Sequence, residues 1–301
     1  MSIQILKVLL EKNDIRLDIF LTKTLPDKPS RSFVKRLVDG GHVRVNEGRV
    51  KAHHKVSVGE DVYVDIPEDF GKPQYIGPED IPLDISYEDE ALIVVNKPIG
   101  MTVHPAQGNY TGTLVNALLN YSVNLSNVNE EMRPGIVHRL DKETSGLILI
   151  AKDNITHTKL AKQFKRREIH KRYVALVEGE IEFDEGKVNA PIGRNPRHHE
   201  KKQVQFQNPS AKEAITYYRV LKRVKGVSLV ALFPKTGRTH QLRVHMQYLR
   251  HAILGDEKYG KRKSFLRLAL HAQSIGFKHP RTNQYLEVSC KVPQSFIDKI
   301  N

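Results

Sequence analysis

Between Ser30 and Gly41 the apolar residues Phe33, Val34, Leu37 and Val38 recur at three- and four-residue intervals, with Arg31, Lys35 and Arg36 on the opposite side. That spacing predicts a short helix with one apolar and one basic face, capped by Ser30 or Ser32 and ended by Gly40–Gly41. Val43 to Val45, a turn at Asn46-Glu47-Gly48, and Arg49–Val50 predict a hairpin, and the alternation of Val62, Val64 and Ile66 predicts a further strand. Periodicity then stops. Residues 67–82, PEDFGKPQYIGPEDIP, carry Pro67, Pro73, Pro78 and Pro82 and predict a linker. The expected division is a small unit over 1–66, the linker 67–82, and a large unit over 83–301.

In the large unit Ala91–Val95 and Leu147–Ala151 are short apolar runs that suit strands covered on both faces. Arg172–Val177, Val227–Phe233, Leu266–Leu270 and Tyr285–Val288 predict further strands. Thr113–Leu119 predicts a helix, as does the stripe Ile155, Leu160, Phe164, whose other faces carry Lys159, Lys162, Lys165, Arg166 and Arg167. Many strands with few helices between them predict an α+β fold built on a mixed sheet, not a doubly wound one.

Charge changes the picture most. The 301 residues hold 48 Lys and Arg against 34 Asp and Glu, a formal net charge of +14, so a polyanion is the natural partner. The stretch from Lys159 to Arg172 holds seven of those cations and one acid, either a solvated face or a track for an RNA backbone. One cysteine, Cys290, excludes an internal disulfide and a multi-thiolate zinc site and fits a reducing compartment. The N-terminal apolar run is broken by Lys7 and followed by Glu11, Lys12 and Asp14, so no signal peptide is expected. No stretch approaches the ~20 apolar residues of a membrane span. A cytoplasmic location is the expectation.

Candidate chemistry narrows by elimination. Phosphate-loop and dinucleotide glycine patterns are absent. The histidine pairs His53–His54 and His198–His199 are adjacent, and His240 and His245 lie five apart, so no metal site is expected. What remains is RPGIVHRLDKETSGLILIAKD, residues 133–153, a turn-rich loop that holds Arg139 and Asp141 just before an apolar strand. Such loops commonly present reactive side chains, yet the same pattern also suits a hairpin with an Asx-type turn at Asp141 and a surface charge at Arg139.

The string HRLDKETSG resembles the signature of the RluA-type pseudouridine synthases, whose catalytic Asp corresponds to Asp141. NKPIGMTVHP, HKRYVALVEG, KTGRTHQLRVH, LGDEKYG and LALHAQSIGFKHP follow the family's order. RLDIFLTKTLP, SRSFVKRLVDGGHVRVNEGRV and HHKVSVGEDVYVDIP are similar to a small RNA-binding domain shared with a ribosomal protein and tyrosyl-tRNA synthetases. The resemblance spans essentially the whole chain and is closest in plan to the RluD branch. It implies a mainly antiparallel catalytic sheet and isomerisation of uridine in structured RNA, most naturally large-subunit ribosomal RNA. No cofactor or metal is required, and the working unit is expected to be a monomer. Transfer RNA and a non-catalytic ribosome-assembly role are the alternatives, and the intact Asp141 loop speaks against the second.

By the same resemblance Tyr173 is the platform for the flipped uracil, Arg139 enters the vacated stack, and Arg238 pairs with Asp141. A carboxylate in a closed pocket needs such a cation to stay ionised. Lys97 either lines the pocket or caps a strand edge. Arg31, Lys35 and Arg36, together with Lys162, Lys165 and Arg166, are assigned to the RNA backbone, where contacts position without specifying sequence. Asp141 has two open roles, attack on C1′ or removal of the C2′ proton. Ala252 and Leu268 stand where the family has Pro and Gln, which puts the pocket floor in question.

Overall fold

The computed structural model describes residues 3–26, 28–68, 70, 76–105, 110–122, 124–128, 133–261 and 264–301. The chain divides into two units, residues 1–74 and 75–301.

The first unit contains β1 (Ile3–Lys7), β2 (Ile15–Arg16), α1 (Leu17–Thr24), α2 (Arg31–Asp39), β3 (Val43–Val45), β4 (Gly48–Arg49), β5 (Lys55–Val56) and β6 (Asp61–Asp65). Its main sheet runs β1-β6-β3-β4. Ser30 caps α2 by accepting the Phe33 N–H, and the helix buries Val34, Leu37 and Val38 while Arg31, Lys35 and Arg36 stay exposed. The β3–β4 turn has φ 45° at Asn46 and 67° at Glu47. Two positive φ values in a two-residue turn match the right-handed twist of the flanking strands, which explains the tight hairpin. Val34, Leu37, Val62 and Val64 close a core with Phe20 and Leu21.

The second unit contains β7 (Ile85–Glu88), β8 (Leu92–Lys97), α3 (Leu114–Tyr121), β9 (Ser145–Ala151), α4 (Asn154–Arg166), β10 (His170–Glu178), β11 (Glu185–Asn189), β12 (Ile192–Arg194), β13 (Lys202–Val204), β14 (Ile215–Val224), β15 (Val227–Pro234), α5 (Gln241–Tyr248), β16 (Leu270–Lys278), β17 (Tyr285–Ser289) and α6 (Gln294–Ile300). A large sheet runs β11-β14-β15-β10-β16-β9-β8-β7, with β17 beside β16. Among the described residues only β9 and β16 pair in parallel, through Ser145 with His271 and Gly146 with Ala272. The fold is α+β with a mainly antiparallel sheet.

Three expectations need correction. Of the stretch expected as a linker, residues 76–82 already belong to the second unit: Ile76 is buried in its core, and Glu79 accepts the Gly112 N–H. Residues 69 and 71–75 of that stretch lie outside the described residues. Leu266 does not begin a strand: it is 91% exposed, and β16 starts only at Leu270. Ile155 is 70% exposed, because α4 turns Thr156, His157, Leu160 and Gln163 inward instead.

Candidate active site

β9 is buried along its whole length, and its N-terminal end fixes the loop that precedes it. Ser145 Oγ lies 2.8 Å from His271 Nδ1 and accepts a hydrogen bond from Arg267 Nη2 at 2.5 Å. Gly146 sits at φ 110° where β9 meets β16; a Cβ there would stand 2.2 Å from the Ala272 carbonyl oxygen. Only a glycine allows the two backbones this close. Ahead of this junction the Asp141 carbonyl accepts the Thr144 N–H at 3.1 Å, while the Lys142 carbonyl accepts the Gly100 N–H at 2.9 Å.

Lys97 completes this brace, and it does not line the cavity. Its side chain is fully buried, and Nζ donates to the carbonyls of Pro98 (2.8 Å), Met101 (2.9 Å) and Lys142 (3.4 Å). Burial first, and the Arg267 charge second, bring its pKa down to about 8, against the pull of Asp141 and Glu143. The ammonium thereby ties the turn after β8 to the residue following Asp141.

A cavity of about 530 Å³ opens in front of this loop. Arg139, Asp141, Tyr173 and Arg238 all line it, so the structure brings together four of the five residues expected around the substrate. Among the described residues that line it Asp141 is the only acid, against seven Lys and Arg: Arg139, Lys165, Arg167, Lys171, Lys235, Arg238 and Arg243. Such a lining favours a polyanion and disfavours a neutral or cationic ligand.

The guanidinium facing Asp141 is that of Arg243, not Arg238. Arg243 Nη1 lies 3.8 Å from Asp141 Oδ2 and 3.5 Å from Glu143 Oε2, while Nε and Nη2 clamp Asp256 at 2.7 and 2.8 Å. The Arg243 and Asp256 side chains are 3% and 0% exposed. Burial works against the Arg243 charge, but the Asp256 hydrogen bonds and the charges of Asp256, Asp141 and Glu143 outweigh it, raising its pKa further. Arg238 is exposed, and its Nε donates to the Glu213 carbonyl at 3.0 Å. The expected Arg238–Asp141 ion pair is not formed. Both arginines stand in the motif KTGRTHQLRVH, but α5 begins at Gln241, so its first turn aims Arg243 back at the loop while Arg238 stays outside.

His240 flanks the same carboxylate oxygen, with Nε2 4.0 Å from Asp141 Oδ2. Its φ of 57° is the left-handed conformation that turns the chain into α5. The Lys202 N–H donates to Tyr259 Oη at 2.8 Å, and that oxygen lies 2.7 Å from His240 Nδ1. The Tyr259 hydroxyl thereby links His240 Nδ1 to the Lys202 backbone and fixes the ring with Nε2 turned toward Asp141. Burial, opposed by Asp141 and Asp256 and helped by Arg243 and Lys258, lowers the His240 pKa, so the ring stays neutral. Gln241 sets the loop ahead of it: Oε1 accepts the Arg238 N–H at 3.0 Å and lies 2.7 Å from Thr236 Oγ1.

Tyr173 stands on the opposite wall, on β10, with its hydroxyl pKa raised by burial and by the Asp141 charge. Arg139 is exposed beside Asp141 and lies near His104, whose pKa falls to about 4 through burial and the charges of Arg133 and Arg139. Ala252 and Leu268 are both buried in the core and line no part of this cavity.

Of the residues assigned to an RNA backbone, Lys162, Lys165 and Arg166 are exposed on α4, with Lys165 on the cavity rim and Arg166 3.9 Å from Glu168. Lys159 is engaged with the Pro280 carbonyl at 2.7 Å. In the first unit Arg31 shares Asp18 with Arg16, Lys35 pairs with Asp39, and Arg36 has no side-chain partner among the described residues. Sequence reasoning gave no role at this carboxylate to Arg243, His240, Asp256 or Tyr259. All four lie inside the family-like motifs, so the signal was present without a way to choose between neighbours.

Residues 91–248 match the family model for RNA pseudouridylate synthase, and residues 15–62 match the S4 domain. An RNA pseudouridine synthase of Bacillus subtilis (strain 168) is 44% identical over 292 residues, covering 96% of this chain and 94% of that protein. A protein of Zymomonas mobilis called ribosomal large subunit pseudouridine synthase D is 41% identical over 292 residues, covering 93% of this chain and 90% of its own. The solved structure of human RNA pseudouridylate synthase domain containing 1 aligns with a TM-score of 0.60 at 27% identity, over 76% of this chain and 89% of that one.

Proposed function

Since the chain belongs to the RNA pseudouridylate synthase family, we propose that it isomerises specific uridines of large-subunit ribosomal RNA, with Asp141 as its catalytic carboxylate. The observation that carries the assignment is the solitary acid in a cavity of seven cations, its Oδ2 held between Arg243 and His240. Ribosomal RNA follows from the relatives called ribosomal large subunit pseudouridine synthase D, in Zymomonas mobilis and also in Haemophilus ducreyi.

The reaction breaks the N1–C1′ bond of uridine, turns the base, and joins C5 to C1′. Base and sugar both stay in the cavity, so the protein needs one ionised carboxylate at the sugar and a surface for the loose uracil. Arg243 Nη1 and His240 Nε2 flank Oδ2 at 3.8 and 4.0 Å, and Oδ1 is the oxygen assigned to C1′ and C2′. Attack on C1′ or removal of the C2′ proton uses that same oxygen. Tyr173 supplies the stacking surface, and Arg139 fills the gap left in the RNA when the nucleotide swings out, a step that costs a few kcal/mol. The exposed cations of α4, and Arg31, Lys35 and Arg36 of the S4 domain, hold the backbone without reading sequence.

Among the described residues no helix is long and apolar enough to cross a membrane. The working unit in this reading is a monomer in the cytoplasm, where ribosomal RNA is found. The test is pseudouridine mapping of total RNA from cells lacking the gene, complemented with wild type or Asp141→Asn. A defined ribosomal site that is lost and returns only with wild type supports the assignment; a site in transfer RNA alone moves the substrate, and no lost site removes the function.

A further inference from the structure

Among the described lysines and arginines of the cavity, Lys171 alone is neither well exposed nor engaged by a protein group. Arg243 is clamped on Asp256, Arg167 on Glu213, and Arg238 on the Glu213 carbonyl. Arg139, Lys165 and Lys235 reach solvent. Lys171 is only partly exposed and has no hydrogen bond or ion pair among the described residues. Burial alone brings its pKa down to about 8.

Its neighbours offer no relief. Lys171 sits on β10 two residues before Tyr173, and both side chains face the cavity. Strand geometry sets their Cα atoms ~6.6 Å apart along one wall. The charge of Lys171 acts on His138, a ring stacked on Phe164 at 4.7 Å whose pKa falls to about 3 through burial and then that charge. His138 Nε2 accepts the Leu149 N–H at 2.9 Å, so in its neutral form the ring carries its hydrogen on Nδ1 and offers Lys171 no free acceptor. Lys165 and Arg167 line the same cavity, and among the described lining residues no acid other than Asp141 does. A partly desolvated ammonium without a counter-charge is unfavourable unless an anion arrives from outside.

We propose that Lys171 forms an anion subsite on the β10 wall of the catalytic cavity, which takes a phosphodiester group of the RNA strand next to the target uridine. The inference rests on the uridine-isomerising role proposed above and adds which wall residue meets the backbone. With the uracil against Tyr173, two residues away, the phosphates flanking the target nucleotide are the anions the RNA brings to this wall.

The test uses the full chain and a synthetic RNA stem-loop around the uridine located by mapping, with each flanking phosphate replaced in turn by an uncharged methylphosphonate. Wild type should lose about tenfold or more in affinity at one position, the range of a charge-assisted hydrogen bond. Lys171→Met should lose a similar factor on unmodified RNA and nothing further at that position, with the salt slope of binding reduced by about 0.7. Lys171→Arg, which keeps the charge, should bind within a few-fold of wild type. A flat methylphosphonate scan, or Lys171→Met losses that add in full to every replacement, overturns the subsite. If Lys171→Met does not fold, Lys171→Gln is scanned instead under the same criterion. Wild type forming pseudouridine in this RNA while the scan stays flat removes only the subsite; no pseudouridine at all removes the function beneath it.

Discussion

Replacing Arg243 by Lys keeps one positive charge but removes the fork that lets a single side chain serve two carboxylates. The single ammonium goes to the partner with more to lose, Asp256, whose side chain is 0% exposed against 19% for Asp141. Asp141 then faces its sugar without the guanidinium now 3.8 Å away. At that separation two unit charges interact by about 4 kcal/mol in an effective dielectric of about 20. Water at the partly open carboxylate screens roughly half, leaving about 2 kcal/mol, or about 30-fold in rate. The Asp256 contact survives in weaker form, so Tm should fall by only about 2–4 °C. Arg243→Met instead strands a buried Asp256 and should cost about 3–5 kcal/mol of stability. Tritium release from RNA labelled at uridine C5 measures turnover, because C5 gives up its hydrogen when it bonds to C1′. A Lys variant that is folded and within threefold of the wild-type kcat would refute the coupling of Arg243 to Asp141.

Three further outcomes are expected. His104, His138 and His271 have folded-state pKa values of about 4, 3 and 4, each lowered chiefly by burial. Unfolding therefore takes up protons below about pH 6.5, stability falls as pH drops from there toward 4, and urea midpoints that stay level between pH 7 and 5 would contradict this. Gly146→Ala drives a Cβ into the Ala272 backbone at φ 110° and should lower stability by about 3 kcal/mol or more; a loss under about 1 kcal/mol in urea unfolding would show the junction can relax. Arg139→Ala should reduce turnover on a folded stem-loop more than on a single-stranded oligonucleotide of the same sequence, and equal losses would count against its place in the vacated stack.

Local pattern revealed the elements whose face is set by near neighbours. The α2 face, the β3–β4 turn at Asn46 and Glu47, and the buried runs β8 and β9 follow from spacing and turn chemistry. Strands β11, β12, β13 and β14 escaped notice, since β14 alternates buried Thr216 and Tyr218 with exposed Tyr217 and Arg219 and reads as polar chain. Leu266 looked like the start of a strand because apolar composition cannot tell a core residue from an exposed one. In the site, Asp141, Arg139 and Tyr173 were legible through motif resemblance. The partner of Asp141 was not: choosing Arg243 over Arg238 depends on where α5 begins and on Asp256, 13 residues further on. Of the two readings of Lys97 the structure favours the strand edge, since it ends β8 and its ammonium braces the loop from behind.

The account stands most directly on the carboxylate of Asp141. Asp141→Asn preserves size and removes the charge, so the purified variant should bind the RNA stem-loop with near-normal affinity. It should form pseudouridine, counted by single-turnover tritium release, at least ~10³-fold more slowly than wild type. Product appearing at the wild-type rate from the asparagine variant would contradict it.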